Sequence, residues 1–397
     1  MVVKRIQATE KQSLLGLNDK YLLAAVFLLA VIGLIMVASA SMAISERLYS
    51  QPFYYLLRQA TYLGLGLLGA LLVVRIPMSF WYKISVVLLF FSIVLLLLVL
   101  VPGIGREVNG STRWIGFGPL GLQVSEFAKL AVIVYLAGYA ARRNKEVCSK
   151  VTGFLKPMAV LGIICFLLLL EPDFGAAVVI MTTVLAIMFL SGVRVSQFFV
   201  LFLLVAIATG ILAVSSPYRM ARLTGFLNPW ANPFDSGYQL TQSLIAFGRG
   251  GLFGTGLGGS VQKLFYLPEA HTDFLFAVLG EELGLLGIFT VIGLYILLVS
   301  RALLIGYRAQ IAGQHSSGYI AYGIAIWVSI QAAVNIGVNS GLLPTKGLTL
   351  PLISYGGSSI LILFVAMAML IRIDFEAKIA GKSRPSNQYF ARKWVVG

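Results

Sequence analysis

Ten stretches of this chain are apolar over about 20 residues each, and that repetition limits the fold more than any other feature. A helix rises about 1.5 Å per residue and bilayer hydrocarbon is about 30 Å thick, so one such run crosses a membrane once. The runs fall at residues 21–43, 53–74, 81–101, 121–141, 154–170, 174–190, 196–214, 273–298, 318–343 and 350–371. Hydrocarbon supplies no hydrogen-bond partners, so the backbone of each run must satisfy itself as a helix. Composition agrees: 59% of the 397 residues are hydrophobic and 11% are charged, where soluble domains carry about a quarter charged residues. The chain therefore reads as an all-α polytopic membrane protein. A tail at 1–20 precedes a ten-helix domain at 21–371, in which a long polar loop at 215–272 joins helices 7 and 8, and a second tail follows at 372–397. Between the fifth and sixth runs, Glu171-Pro172-Asp173 marks a tight interfacial turn, because an unbroken helix there would be nearly twice too long.

Lys and Arg are distributed unevenly among alternate loops. One side, which includes both tails, carries 20 of them. The other carries nine: Arg47, Arg58, Arg106, Arg113, Arg219, Arg222, Arg249, Lys263 and Lys346. By the positive-inside rule both termini are cytoplasmic, which puts Asp273, Arg113 and Lys346 together on the outer face. The same dispersal explains the +15 net charge without a nucleic-acid partner, since no single polar face gathers the cations. Cys148 and Cys165 lie in a basic loop and an apolar run, too far apart in depth for a disulfide and without metal-ligand spacing.

An ionisable residue in or beside a spanning helix is costly, and so marks a site by default. The stretch from Pro268 to Gly284 carries Glu269, His271, Asp273, Glu281 and Glu282 where the long loop meets the eighth run. Asp273 is the candidate base, with helix N-capping as the plain alternative. Glu281 and Glu282 are expected to pair with a neighbouring helix. In the fourth run Glu126 and Lys129 are three residues apart and can pair on one face, either to brace the bundle or to line a hydrated cavity. Arg113-Trp114 can fork onto a phosphate or anchor at the headgroups. A glycine-rich run, 248–259, reads as a flexible loop or as a phosphate cradle. Between runs nine and ten, Pro344, Lys346, Pro351 and Ser354 with Gly356-Gly357 point to broken helix around a cavity, with Ser354 a candidate contact. No Walker, His-Glu-x-x-His or Ser-His-Asp arrangement is present. One outer carboxylate with Arg113, Arg249 and Lys346 around it suits glycosyl transfer from a diphosphate-linked sugar, which needs one base and cations on the leaving group.

Several of these stretches resemble a known family. Arg113-Trp114-Ile115, Gln123-Val124-Ser125-Glu126, Gly237-Tyr238-Gln239, Pro268 to Phe274, Gly280 to Gly284 and Pro351 to Ser359 are similar to motifs of the SEDS family (shape, elongation, division and sporulation), in its division-type members. Val124 stands where that family usually has Pro. The resemblance implies a ten-span peptidoglycan glycosyltransferase that polymerises lipid II on the outer face of the cytoplasmic membrane at the septum. Asp273 matches the family's essential aspartate. The implied partners are a class B penicillin-binding protein and other divisome membrane proteins. A divalent cation, Mg or Mn, assisting the diphosphate is left open. A lipid II flippase and a non-catalytic division scaffold are the other readings that intramembrane charges allow.

Overall fold

The computed structural model describes residues 19–382 apart from 109–110, 118–119, 215–225, 227, 236 and 346. Residues 1–18 and 383–397 of the tails, and Arg219, Arg222 and Lys346 singled out above, therefore lie outside the described residues, while 372–382, expected in the second tail, continue the last helix. Ten long helices stand at the positions of the ten apolar runs: α1 Lys20–Tyr49, α2 Tyr54–Val73, α3 Met78–Val99, α4 Val124–Arg142, α6 Val151–Leu170, α7 Phe174–Leu190, α8 Val195–Val214, α10 Leu275–Ile311, α11 His315–Asn339 and α12 Gly357–Lys382. Eight of them are long and apolar enough to cross a membrane, and α7 is a shorter apolar helix of 17 residues. Two short helices complete the set, α5 Asn144–Ser149 and α9 Tyr238–Gly250. Large side chains such as Phe27, Leu68, Phe90, Phe166 and Phe289 point out of the bundle, the pattern of a surface solvated by lipid. α4 is the central post, buried along most of its length against α3, α7 and α11.

Three departures from the expected layout matter for the site. The segment before α4 forms a small antiparallel sheet, β1 Gly105–Val108, β2 Ser111–Phe117 and β3 Leu120–Gln123, in the order β1-β2-β3. Trp114 pairs with both Arg106 and Gln123, so β2 is the middle strand and holds Arg113 beside it. The fourth helix accordingly starts at Val124 rather than near residue 121.

The eighth helix starts at Leu275, two residues after Asp273, and runs to Ile311, well past the expected end at 298. It is broken at Gly284, where φ is 65° and ψ is −163°. A break in a spanning helix strands backbone groups in a medium without water. Here the glycine-rich loop supplies the partners. Thr255 N donates to Glu281 O (2.9 Å), Gly256 N to Glu282 O (3.0 Å), Leu285 N to Gly251 O (3.0 Å) and Leu286 N to Leu252 O (3.3 Å). A Cβ on Gly284 would lie 2.4 Å from Gly254 N, so glycine is required by approach as well as by dihedral. The loop is thus neither a free flap nor a phosphate cradle.

Glu281 and Glu282 act in the same place, and not against a neighbouring helix alone. Glu281 accepts from Val261 N (3.0 Å), Gln262 N (3.3 Å) and Arg249 (3.3 Å). Glu282 accepts from Lys263 Nζ (2.7 Å) and from Ser39 of α1 (2.7 Å). The third departure is at the last two helices. α11 ends at Asn339 and α12 begins only at Gly357, so residues 349–356 are a buried non-helical segment, with Leu350, Leu352, Ile353 and Ser354 all packed inside.

Candidate active site

The loop before α10, the non-helical segment before α12, the sheet and the ends of α1, α2 and α7 meet around one cavity of about 930 Å³ at the end of the bundle that carries Asp273. Asp273, Arg113, Glu126 and Asp173 all line it. Asp273 does not cap its helix. Phe274 holds the N-cap position, no side chain caps that end, and among the described residues the Asp273 carboxylate accepts no hydrogen bond. The capping alternative therefore falls.

What is held instead is the Asp273 backbone. α11 carries Gln331, Asn335 and Asn339 four residues apart, which places three amides on one face. Asn335 Nδ2 and Asn339 Nδ2 both donate to Asp273 O, at 2.8 and 2.9 Å. Asn339 Oδ1 accepts from Ala277 N in the first turn of α10 (3.1 Å). Gln331 Nε2 donates to Thr349 O (3.0 Å), and Asn335 also donates to Leu348 O. One helix face thus fixes both the loop that carries Asp273 and the non-helical segment. Gly347 lies against Asp273, where a Cβ would come within 2.9 Å of Oδ2.

The Asp273 carboxylate is only partly exposed, and burial is the first cause that pushes its pKa up, to about 7. Negative Glu269 and Asp173 push the same way, and the Arg113 guanidinium opposes them. Arg113 is itself oriented by main-chain carbonyls. Its Nε donates to Glu171 O (3.2 Å) and its terminal nitrogen to Pro172 O (2.7 Å), while Asp173 stands 3.9 Å away. Asp173 caps α7 through Ala176 N (3.2 Å). Burial, then the nearby Asp173, pushes Glu171 up to about 8, against Arg113. Burial holds His271 below its ordinary value, against the pull of Glu269, so the ring is neutral.

The remaining candidates fall at different depths. Glu126 lines the cavity and binds Lys129 Nζ at 2.8 Å through one oxygen, its other oxygen being buried without a partner. Lys129 lies behind Glu126, off the cavity wall, where Gln331 Oε1 accepts from it (2.7 Å) and the Trp327 ring centroid is 5.1 Å from Nζ. Arg249 is turned to Glu281 and does not line the cavity, so it leaves the group expected around Asp273. Ser354 is buried off the wall too. Its hydroxyl accepts from Leu350 N (3.0 Å) and shapes the turn, whereas Tyr355, Gly356 and Ser359 of the same motif do face the cavity. Among the described residues no three His, Cys, Asp or Glu side chains converge as a metal-ligand set.

Residues that sequence reasoning passed over include Asn335, Asn339 and Gln331, whose spacing of four in an apolar helix was the available signal. Tyr55 and Tyr355 also face the cavity and carried no comparable signal.

Comparison with known proteins narrows the chemistry. Residues 19–379 match the family described as cell cycle protein, which takes in FtsW, RodA and SpoVE. The probable peptidoglycan glycosyltransferase FtsW of Legionella pneumophila subsp. pneumophila is 60% identical, over 91% of this chain and 92% of its own length. The corresponding Coxiella burnetii protein is 57% identical, over 91% and 97%. Among solved structures, a chain from a peptidoglycan synthase complex that coordinates polymerization and crosslinking superposes with a TM-score of 0.76 at 29% identity, covering 91% of this chain and 98% of its own. The rod shape determining protein RodA of Thermus thermophilus superposes with a TM-score of 0.65 at 29% identity, covering 90% and 97%.

The buried pair yields a stability prediction. Lys129→Met leaves the Glu126 charge without its cation and should cost about 3–5 kcal/mol, read as a large drop in thermal melting in detergent. Adding Glu126→Gln should restore much of it. Equal melting of the single and double variants would contradict the pairing.

Proposed function

The chain belongs to the SEDS family of cell cycle proteins and is a peptidoglycan glycosyltransferase; we propose that it polymerises lipid II with Asp273 as the general base. The observation that carries this reading is a carboxylate that lines the large cavity and is held by its own backbone, leaving both side-chain oxygens unengaged among the described residues. With a pKa pushed up to about 7, Asp273 combines a usable ionised fraction with a basicity matched to neutral pH.

In the proposed step Asp273 takes the proton of the acceptor sugar's 4-hydroxyl. The acceptor oxygen then bonds to the donor's anomeric carbon. The carbon–oxygen bond to the diphosphate breaks, undecaprenyl diphosphate leaves with the electron pair, and the α linkage inverts to β. Arg113 is the cation nearest to hand for the developing charge, because main-chain carbonyls orient it without neutralising it.

Asp273→Asn cannot accept the proton but leaves the backbone contacts to Asn335 and Asn339 intact. Polymerisation of purified lipid II in detergent should fall about 10²- to 10⁴-fold, with unchanged or higher thermal stability, since a buried charge is removed. Asp273 must be ionised to act, so kcat/KM should hold above pH 7 and fall about tenfold per unit below it. Polymerisation by the Asn variant at the native rate would refute the assignment. A native protein that made no polymer while moving lipid II across vesicles would favour the flippase.

We propose further that both termini are cytoplasmic, as the charge asymmetry requires. In intact cells Thr112→Cys should react with an impermeant thiol reagent and native Cys148 should not. Labelling of Cys148 before lysis would reverse the orientation. The partner is proposed to be a single-span class B penicillin-binding protein of the division apparatus. This is supported by the likeness to a chain of a peptidoglycan synthase complex. Adding that protein to the purified enzyme should raise the polymerisation rate, and an unchanged rate would refute activation.

A further inference from the structure

We propose that the rings of Tyr49, Tyr55, His271 and Tyr355 form the platform that holds the acceptor saccharide while Asp273 takes its proton. The proposal rests on the glycosyl-transfer reading above and assigns one wall of the same cavity.

The four rings come from α1, α2 and the two non-helical segments, yet they make one continuous cluster. Tyr55 stands 4.6 Å from the His271 ring, 5.0 Å from Tyr355 and 5.8 Å from Tyr49, between centroids. All four line the cavity together with Asp273. The cluster is also in register with the base. Tyr355 N donates to His271 O at 3.0 Å, and His271 is two residues from Asp273 on the same loop. An aromatic belt that anchors a protein at the headgroups turns its rings outward. These rings instead face a cavity of about 930 Å³, large enough for sugars.

The chemistry of that wall fits a saccharide. Aromatic faces carry negative charge density, and the electron-poor C–H face of a β-linked pyranose packs on them while its hydroxyls stay free for hydrogen bonds.

Inversion then decides which sugar lies there. The attacking hydroxyl and the leaving diphosphate must be in line on opposite sides of the anomeric carbon. α1 and α2 pack on each other and on α10 and α12, whereas α7, whose first turn abuts Arg113, packs on α4, α6 and α11. The rings and Arg113 therefore enter the cavity from different sides, with Arg58 of α2 on the side of the rings. With the diphosphate at Arg113, the aromatic side is left for the acceptor.

The test uses the full chain and a soluble disaccharide-peptide with a free 4-hydroxyl but neither lipid nor diphosphate, as a competitor of lipid II. Tyr55→Leu should raise the KM for lipid II and the inhibitory concentration of the saccharide about fivefold to tenfold, the size of one aromatic contact, with a much smaller change in kcat. Tyr55→Phe keeps the ring and should lose far less. Tyr355→Leu should repeat the effect, which keeps the test decisive if one variant fails to fold. Equal losses in the Leu and Phe variants, or unchanged saccharide potency in both Leu variants, would overturn the platform. Saccharide binding to Asp273→Asn separates the two proposals. Binding that Tyr55→Leu weakens in that background supports the platform whether or not Asp273 is the base.

Discussion

The structure depends on one constraint: inside a bilayer, each backbone N–H and C=O that leaves a helix must find another partner in the protein. An unsatisfied group there costs several kcal/mol, so helix breaks survive only where something else is folded into them. Two such breaks exist near the site, at Gly284 and across residues 349–356. The first is filled by the backbone of the glycine-rich loop, which approaches closely because it lacks side chains. The second is held by amides from α11 and by Tyr295 of α10, whose hydroxyl donates to Pro351 O. The cavity is lined by the second of these, through Thr349, Tyr355 and Gly356, so the need to satisfy backbone also shapes the site.

The same economy explains how a carboxylate can be both fixed and reactive. Asn335 and Asn339 grip the Asp273 carbonyl, and Asn339 also accepts from the first turn of α10. The loop is positioned through its main chain, and the carboxylate is spared for chemistry. Gln331 continues the row to Lys129 and Glu126, so the intramembrane ion pair and the Asp273 loop share one supporting face of α11. A bracing role and a cavity-lining role are not exclusive here: Glu126 reaches the wall and Lys129 stays behind it.

The cavity places Glu126, Asp173, Glu269 and Asp273 on one wall system with Arg58, Arg106 and Arg113, of which Arg113 is oriented by main-chain carbonyls. Burial, Glu269 and Asp173 raise Asp273 while Arg113 restrains it, and burial and Asp173 push Glu171 the same way. A substrate diphosphate entering beside Arg113 would meet a guanidinium already aligned by the carbonyls of Glu171 and Pro172. The tight turn at Glu171-Pro172-Asp173 thus does more than join α6 to α7, since its carbonyls orient the cation and its Asp173 caps the next helix.

The membrane class, the positions of the ten helices and the candidacy of Asp273 were legible in the residues alone. Length, hydropathy and the cost of an isolated acid are local quantities, and they need no knowledge of neighbours. What chain order cannot convey is which groups meet. Arg249 and Lys129 carry charge as conspicuous as that of Arg113, but Arg249 is turned to Glu281 and Lys129 is buried behind Glu126. Ser354 belongs to the motif that enters the cavity, yet its hydroxyl is spent on Leu350 N. The glycine-rich loop found its partner in a helix break some 30 positions later, a pairing set by the geometry of Gly284. Apolar periodicity places each helix in the membrane because it depends on transfer from water to lipid. The division of polar side chains between holding the fold and facing the substrate was decided by tertiary packing, because it depends on which backbone groups the breaks left without partners.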